Sequence, residues 1–222
     1  VGMPRVADRV GMPRYVILPL LWLALGCATQ PIVEHQTLDL RPGVLEKIAV
    51  VPFYPAKDFK GGRNPDRVVT GKVAADLVAR FVSEAFTSEG IETIAPNDVV
   101  VGFEGIGQVL PRQDPIATAV LAAKQFGATA VVLGSVHRYR EREGGALGAQ
   151  GPASVHFELQ MYSAPDGLKI WSARFDHTQI ALSTNVFITR RYPDRGTRWL
   201  TAADLARWGA DVAVQTLPRP LR

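Results

Sequence analysis

The sequence predicts an α/β domain, a mixed β-sheet of about five strands with helices packed on it. Three observations carry this expectation. Short apolar runs rich in β-branched residues stand at 46–53, 91–96 and 128–140, bounded by Pro, Gly or polar residues. Stretches with apolar residues at helical spacing lie between and after them. Two alternating runs flank the tight turn APDGL, a hairpin signal. The expected order over residues 46–217 is strand, helix, strand, helix, three strands, helix.

Each element has its own warrant. EKIAVVPF (46–53) reads as a buried strand closed by Pro52, and YPAKDFKGGRNPDR (54–67) as a loop by its Pro and Gly content. From about Asp66 to Ser88 the pattern is helical. Val69, Val73, Leu77 and Phe81 form a stripe at spacing four, Val78, Val82 and Ala85 lie on its flank, and Gly90 is the stop. IETIAP (91–96) is a second strand. Segment 97–113 is ambiguous, with Asn97 placed to cap one or two turns before a glycine-rich break. DPIATAVLAAKQFG (114–127) is a helix with Asp114 as N-cap, Pro115 in the first turn and Gly127 at the exit.

Strands are expected at 128–140, 153–164 and 168–178. Pairing Ala164 with Leu168 sets Met161 against Trp171, Leu159 against Ala173 and Phe157 against Phe175. On the opposite face Glu158 meets Arg174 and His156 meets Asp176. A slip of one residue would set Leu159 against Arg174, so the matched register is preferred. Segment 179–199 is irregular. The final helix, within 201–217, starts at a capping-box-like Thr201 and Asp204, with Leu205, Trp208, Val212 and Leu217 as its apolar side.

Ahead of the domain, LPLLWLALGCATQ (18–30) runs an apolar stretch into the single cysteine of the 222-residue chain. Tyr15 to Gly26 is short of the roughly 20 residues of a spanning helix. It fits the apolar region of a secretory signal, with Arg14 before it. Gly-Met-Pro-Arg occurs at 2–5 and again at 11–14, and Met12 is the expected start. Residues 28–45 are polar, hold Pro31 and Pro42 and lack periodicity, which reads as a tether. The expected organisation is a signal peptide over 1–26, a lipidated tether over 27–45 and one domain over 46–217. The net charge is +4, of which residues 1–26 hold +2, too little in the remainder to argue for nucleic acid. One cysteine leaves no internal disulfide.

LALGC resembles the lipobox of bacterial lipoproteins, although Ala24 and Leu25 reverse the usual order. The resemblance implies that Cys27 is lipidated and becomes the mature N-terminus, a covalent lipid anchor and no other cofactor. Ala28 in place of aspartate implies sorting to the outer membrane, on its periplasmic face. Behind the lipobox come KIAVVPF, VAADLVARFVSEAFTSEG, FGATAVVLGSV and FELQMYSAPDGLKIWSARF. In that order they resemble the curli-secretion-channel (CsgG-like) family of lipoproteins, which shares the small fold of the TolB N-terminal domain. The resemblance implies a non-enzymatic envelope protein whose partners are other envelope proteins or its own copies. Channel-forming members carry two long amphipathic hairpins. EREGGALGAQGP (141–152) lacks the 9–11 alternating residues of a bilayer-crossing strand, and Pro193 and Gly196 interrupt 179–199. A non-channel member is therefore expected, with a channel subunit or an activator of peptidoglycan synthesis as the alternatives.

Several stretches approach the patterns of chemical sites without completing them. His137, His156 and His177 fall on adjacent strands, but the chosen register turns His156 outward and His177 inward, so no metal site is expected. DRVVTGKV (66–73) has Asp66 and Val73 where a phosphate loop needs glycine and Ser/Thr. GFEGIG (102–107) has its glycines in the wrong order for a dinucleotide fingerprint. Ser135 stands near His137 without a nucleophile elbow or oxyanion donors. Neither an enzyme nor a small-molecule substrate is expected. The partner-binding candidates are Arg190, Arg191, Tyr192, Arg195 and Arg198, interleaved with Phe187 and Trp199, since arginine and aromatics are enriched at protein interfaces. The other reading tucks Phe187 and Trp199 under the last helix and leaves the arginines solvated; the sequence leaves both open.

Overall fold

The computed structural model describes residue 2 and residues 33–218, apart from 39, 41–42, 63–68, 112–113, 182 and 185–189. The signal-like run, Cys27, the lipobox and Phe187 lie outside the described residues.

Alternation of buried and exposed positions builds the sheet. It contains β1 (Val33–Thr37), β2 (Lys47–Val50), β3 (Tyr54–Lys60), β4 (Glu92–Ile94), β5 (Ala130–Arg140), β8 (Ser154–Ser163) and β9 (Lys169–Thr178). β6 (Glu143–Gly144) and β7 (Ala149–Gly151) form a separate small hairpin. The order is β1-β9-β8-β5-β2-β4, with β3 also on β5. β2, β3 and β4 join in parallel and β8, β9 and β1 antiparallel, so the sheet is mixed, as expected. β2 lies beside Ala130–Val132, and after the break at Pro52 β3 runs beside Ser135–Arg138.

The β8–β9 register is the expected one, with Phe157 opposite Phe175, Glu158 opposite Arg174 and Met161 opposite Trp171. A bulge next to Met161 then sets Tyr162 against Lys169, and Ser163 N–H donates to the Leu168 carbonyl at 2.8 Å. The pairing of Ala164 with Leu168 is thus displaced at the turn. Two segments depart from expectation. Residues 33–37, read as tether, form edge strand β1 on β9, with Val33 as their one buried side chain. Residues 54–60, read as loop, are β3, whose edge position tolerates Pro55.

Among the described residues four helices flank the sheet: α1 (Gly71–Ser88), α2 (Pro96–Gly105), α3 (Pro115–Phe126) and α4 (Ala202–Val214). α1 is capped by Thr70, whose hydroxyl accepts from the Val73 N–H. Its buried face differs from the expected stripe. Val73 is 50% exposed, whereas Ala74, Val78, Val82, Ala85 and Phe86 are buried. The small alanines let the helix sit close to the sheet, so the stripe rotates toward the residues read as its flank. α2 begins at Pro96 without a side-chain cap, so Asn97 is not the cap. α3 follows expectation: Asp114 accepts from Ala117 N–H at 3.0 Å, and Gly127 closes it at φ 64°.

α1 and α4 cover one face of the sheet over Ile48, Val50, Val132, Phe157, Leu159, Met161, Trp171 and Phe175. Full burial of such side chains contributes about 1.5–3 kcal/mol each. α4 comes close because residue 209 is glycine: a Cβ there would lie 2.7 Å from the Phe175 ring. On the other face α2 and α3 cover Ala49, Val51, Val131 and Leu133 through Val99, Phe103, Ala119 and Ala122. That cover ends at β5. Past Tyr162, among the described residues, no helix lies over the second face of β8, β9, β1 and the far half of β5.

Candidate functional site

This uncovered face is polar because each strand alternates. In β8, Phe157, Leu159 and Met161 enter the core while His156, Glu158 and Gln160 face away. In β9 the outward residues are Ser172, Arg174 and Asp176, and in β1 they are Glu34 and Gln36, with Glu34 paired to Arg174 and Gln36 to Ser172. β5 adds an irregularity. Its register on β8 shifts between Val136 and Arg138, and both Val136 and Tyr139 are buried. Two residues therefore stand between core positions where one would in a regular strand, which turns His137 and Arg138 to the same side.

The bulge brings His137 over His156. Their rings stack with centroids 4.5 Å apart and planes 18° from parallel. His137 Nδ1 lies 3.0 Å from the Asp58 carboxylate on β3. A carboxylate only accepts, so Nδ1 carries the proton, and in the neutral ring Nε2 is the lone pair that accepts from the Ser135 hydroxyl at 3.2 Å. His156 Nδ1 faces Asp176 at 3.7 Å, and its Nε2 faces Glu158 at 3.7 Å. That Nε2 is buried and has no hydrogen-bond partner among the described residues. Burial holds the His156 imidazole below its ordinary pKa; Asp176 opposes this, while His137, Arg174 and Arg138 add to it.

Three carboxylates and two guanidinium groups frame the pair. Arg138 bonds Asp176 and donates from Nε to Ser154 Oγ at 2.6 Å, and Arg174 reaches Asp176 at 3.1 Å. Burial alone would raise the Asp176 pKa, but bonding and charge from Arg138, then Arg174, outweigh it and hold the carboxyl low. Asp58 is also held low, first by its hydrogen bond from His137. A shallow depression of about 270 Å³ adjoins the cluster, lined in part by Glu34, Gln36, Glu158, Ser172 and Arg174.

Ser135, His137 and Asp58 are bonded in the order of a serine hydrolase triad. The surroundings are not those of one. Ser135 lies inside β5 between β3 and β8, so nearby backbone N–H groups point within the sheet plane while the hydroxyl stands on its face. The N–H groups of β5 around Ser135 are directed along the sheet toward β3 and β8 and do not converge above the hydroxyl, where an oxyanion would form.

His177 stands on the opposite face from both His137 and His156, so the argument that the histidines could share no ion applies to His177 and not to the His137–His156 pair. His177 faces the helical side and packs against Phe175, Tyr192 and Trp208. The pairing of His137 with His156 was missed because a regular alternation does not reveal the bulge. The signal available in the sequence was the break in pattern between Val136 and Tyr139.

The arginine segment divides in two. Tyr192 is 3% exposed; its hydroxyl lies against His177 Nε2 and accepts from Ile180 N–H at 3.3 Å. It also packs edge-on against Trp208. Tyr192 is therefore a core residue and not a contact residue, a correction to the sequence reading. Arg190, Arg191 and Arg195 are exposed, and half-buried Arg198 pairs with Asp204 at 3.4 Å. A short 3-10 turn, Pro193–Gly196, holds the ridge, with Arg195 at φ 54°. Buried Gln179 fixes its far end, donating to the Arg198 carbonyl at 2.9 Å and accepting from Leu200 N–H at 2.7 Å.

No protein-family model matches the chain, and no curated protein matches it in sequence. The resemblance to the CsgG-like family accordingly remains a resemblance. Among solved structures the chain is similar to the PelC dodecamer from Paraburkholderia phytofirmans, with 15% identity and a TM-score of 0.45 over 82% of this chain and 94% of that one. It is also similar to lipoprotein GNA1162 from Neisseria meningitidis, with 15% identity and a TM-score of 0.39 over 60% and 83% of the two chains. A third similarity is to the LpoB C-terminal domain from Escherichia coli, with 13% identity and a TM-score of 0.37 over 64% and 90%.

Proposed function

We propose that the chain is a lipoprotein held by a lipid on Cys27 to the periplasmic face of the outer membrane, where it binds envelope proteins without catalysing a reaction. The observation that carries the binding role is the ridge of Arg190, Arg191 and Arg195. Its arginines point outward while Tyr192 and Gln179 fasten the same segment to the core. A segment fixed before binding loses less conformational freedom on contact, and arginine suits a bidentate grip on carboxylates. The partner chemistry is thus an acidic protein surface. The lipobox-like LALGC supports the location, and the absence of converging oxyanion donors at Ser135 supports binding over catalysis.

The test is recovery of partners from solubilised envelopes with the native chain and with Arg190→Glu/Arg191→Glu. Loss of a partner at unchanged stability is expected, and equal recovery would refute the ridge as a contact surface. Labelling with a palmitate analogue is expected to mark the native chain and to spare Cys27→Ala. Label that persists in the variant would refute the anchor.

A further inference from the structure

We propose that the open face of the sheet holds a divalent transition-metal site of the zinc class, formed by His137 Nε2, His156 Nε2 and the Glu158 carboxylate. The inference is independent of the partner-binding reading. Glu158 lies 3.8 Å from His137 Nε2 and 3.7 Å from His156 Nε2, and the three ligand atoms all lie within 4.8 Å of one another. On a tetrahedral ion with bonds of about 2.0–2.1 Å, ligand atoms stand roughly 3.3 Å apart. The rings are stacked 18° from parallel and each lone pair lies in its own ring plane, so one imidazole must turn out of the stack for both Nε2 atoms to face one ion.

The arrangement around the ligands argues for an ion more strongly than their proximity does. Both imidazoles turn Nδ1 toward a carboxylate, His137 toward Asp58 at 3.0 Å and His156 toward Asp176 at 3.7 Å. A histidine that binds metal through Nε2 characteristically donates its other N–H to such a group, which fixes the tautomer and raises the basicity of the ligating nitrogen. Each Nε2 lies beside one oxygen of the Glu158 carboxylate, and His156 Nε2 is buried without a hydrogen-bond partner among the described residues. An unpaired buried nitrogen is costly, and a cation supplies its missing partner.

Charge agrees. Asp58, Glu158 and Asp176 balance Arg138, Arg174 and Lys60, which acts on Asp58, so no excess of positive charge surrounds the two rings. Two imidazoles and one carboxylate suit zinc, copper or nickel better than magnesium or calcium. The Ser135 hydroxyl gives up His137 Nε2 when the ion binds. Arg174 is the competitor. Its Nε stands 4.0 Å from Glu158, and it keeps its bond to Asp176 when Glu158 turns to the ion.

The test uses the untagged full-length chain in detergent, freed of metal by a chelator and titrated with zinc against a chromophoric competitor. One equivalent is expected to bind with an affinity on the order of micromolar or tighter. His156→Gln and Glu158→Gln should each weaken binding tenfold or more. Asp58→Asn should weaken it by about 10- to 100-fold. Arg174→Gln should tighten it, an outcome that a merely structural role would not produce, and His177→Gln should leave it unchanged. Thermal melts check that each variant folds. Independently of any variant, zinc should shift the Nε2 resonances of His137 and His156 in long-range nitrogen spectra. The proposal is overturned if no saturable binding appears below about 100 μM zinc, if binding survives His156→Gln undiminished, or if those resonances do not move.

Discussion

Replacing Gln179 with leucine isolates what holds the arginine ridge to the core. Leucine has a similar volume, so little cavity forms, and the backbone bond from residue 179 N–H to the Ala153 carbonyl remains available. The loss is the acceptor for Leu200 N–H at 2.7 Å and the donor to the Arg198 carbonyl at 2.9 Å. Leu200 is wholly buried, so its N–H is orphaned at a cost of about 1–3 kcal/mol. The Arg198 carbonyl, in a half-exposed residue, recovers a water and adds little. The expected destabilisation is about 1–3 kcal/mol. For a domain of this size that lowers Tm by roughly 2–12 °C. Thermal unfolding gives the global figure, and hydrogen exchange should show the Leu200 amide losing protection before the sheet does. A Tm within about 1 °C of the native value, with the Leu200 amide still protected, would refute the assignment of Gln179 as the fastening.

Other perturbations test separate parts of the structure. Gly209→Ala should destabilise, since overpacking against Phe175 costs about 1–3 kcal/mol and outweighs a helix-propensity gain of at most about 1 kcal/mol. Gly105→Ala, with nothing within 4 Å of the added carbon, should be neutral or stabilising in the same denaturant titration. Thr201→Ala removes the hydroxyl that accepts from Asp204 N–H at 3.0 Å and should cost about 1 kcal/mol by chemical denaturation. His177 contributes to acid sensitivity, because burial holds its pKa below the ordinary value and Asp176 opposes this only in part. As pH falls below about 6.5, the unfolded chain takes up a proton that the folded one refuses, so stability drops until the folded pKa is reached. His177→Gln should flatten that part of the stability–pH curve, and an unchanged slope would exclude the residue as a source.

Where alternation is regular and both faces carry strong preferences, the sequence determines the register. β8 and β9 pair as the match of Phe157 with Phe175 and Glu158 with Arg174 requires, because a slip would bury charge. Helix α3 was equally legible, since Asp114, Pro115 and Gly127 each have a local mechanism. β1 was not, because VEHQT buries one side chain and joins the sheet through its backbone. β3 contains Pro55 and mostly exposed residues, so its composition is that of a loop. Of the candidate site, the outward position of His156 and the inward position of His177 were readable, while Asp58 came from a segment read as loop and His137 from beyond a bulge. An aromatic among arginines resembles a contact residue, and it is the burial of Tyr192 against His177 and Trp208 that identifies it as core.

The extra residue between Val136 and Tyr139 acts as a change of phase along β5. Before it, even-numbered side chains lie beneath α1 and α4; after it, the odd-numbered Tyr139 does. Removing one amino acid here would restore strict parity and leave Val136 and Tyr139 both facing the core, opposite Phe157 and Val155. The extra residue therefore serves the open face rather than the core, and a single-residue deletion at 137 or 138 should spare stability more than it spares the group of side chains around His156.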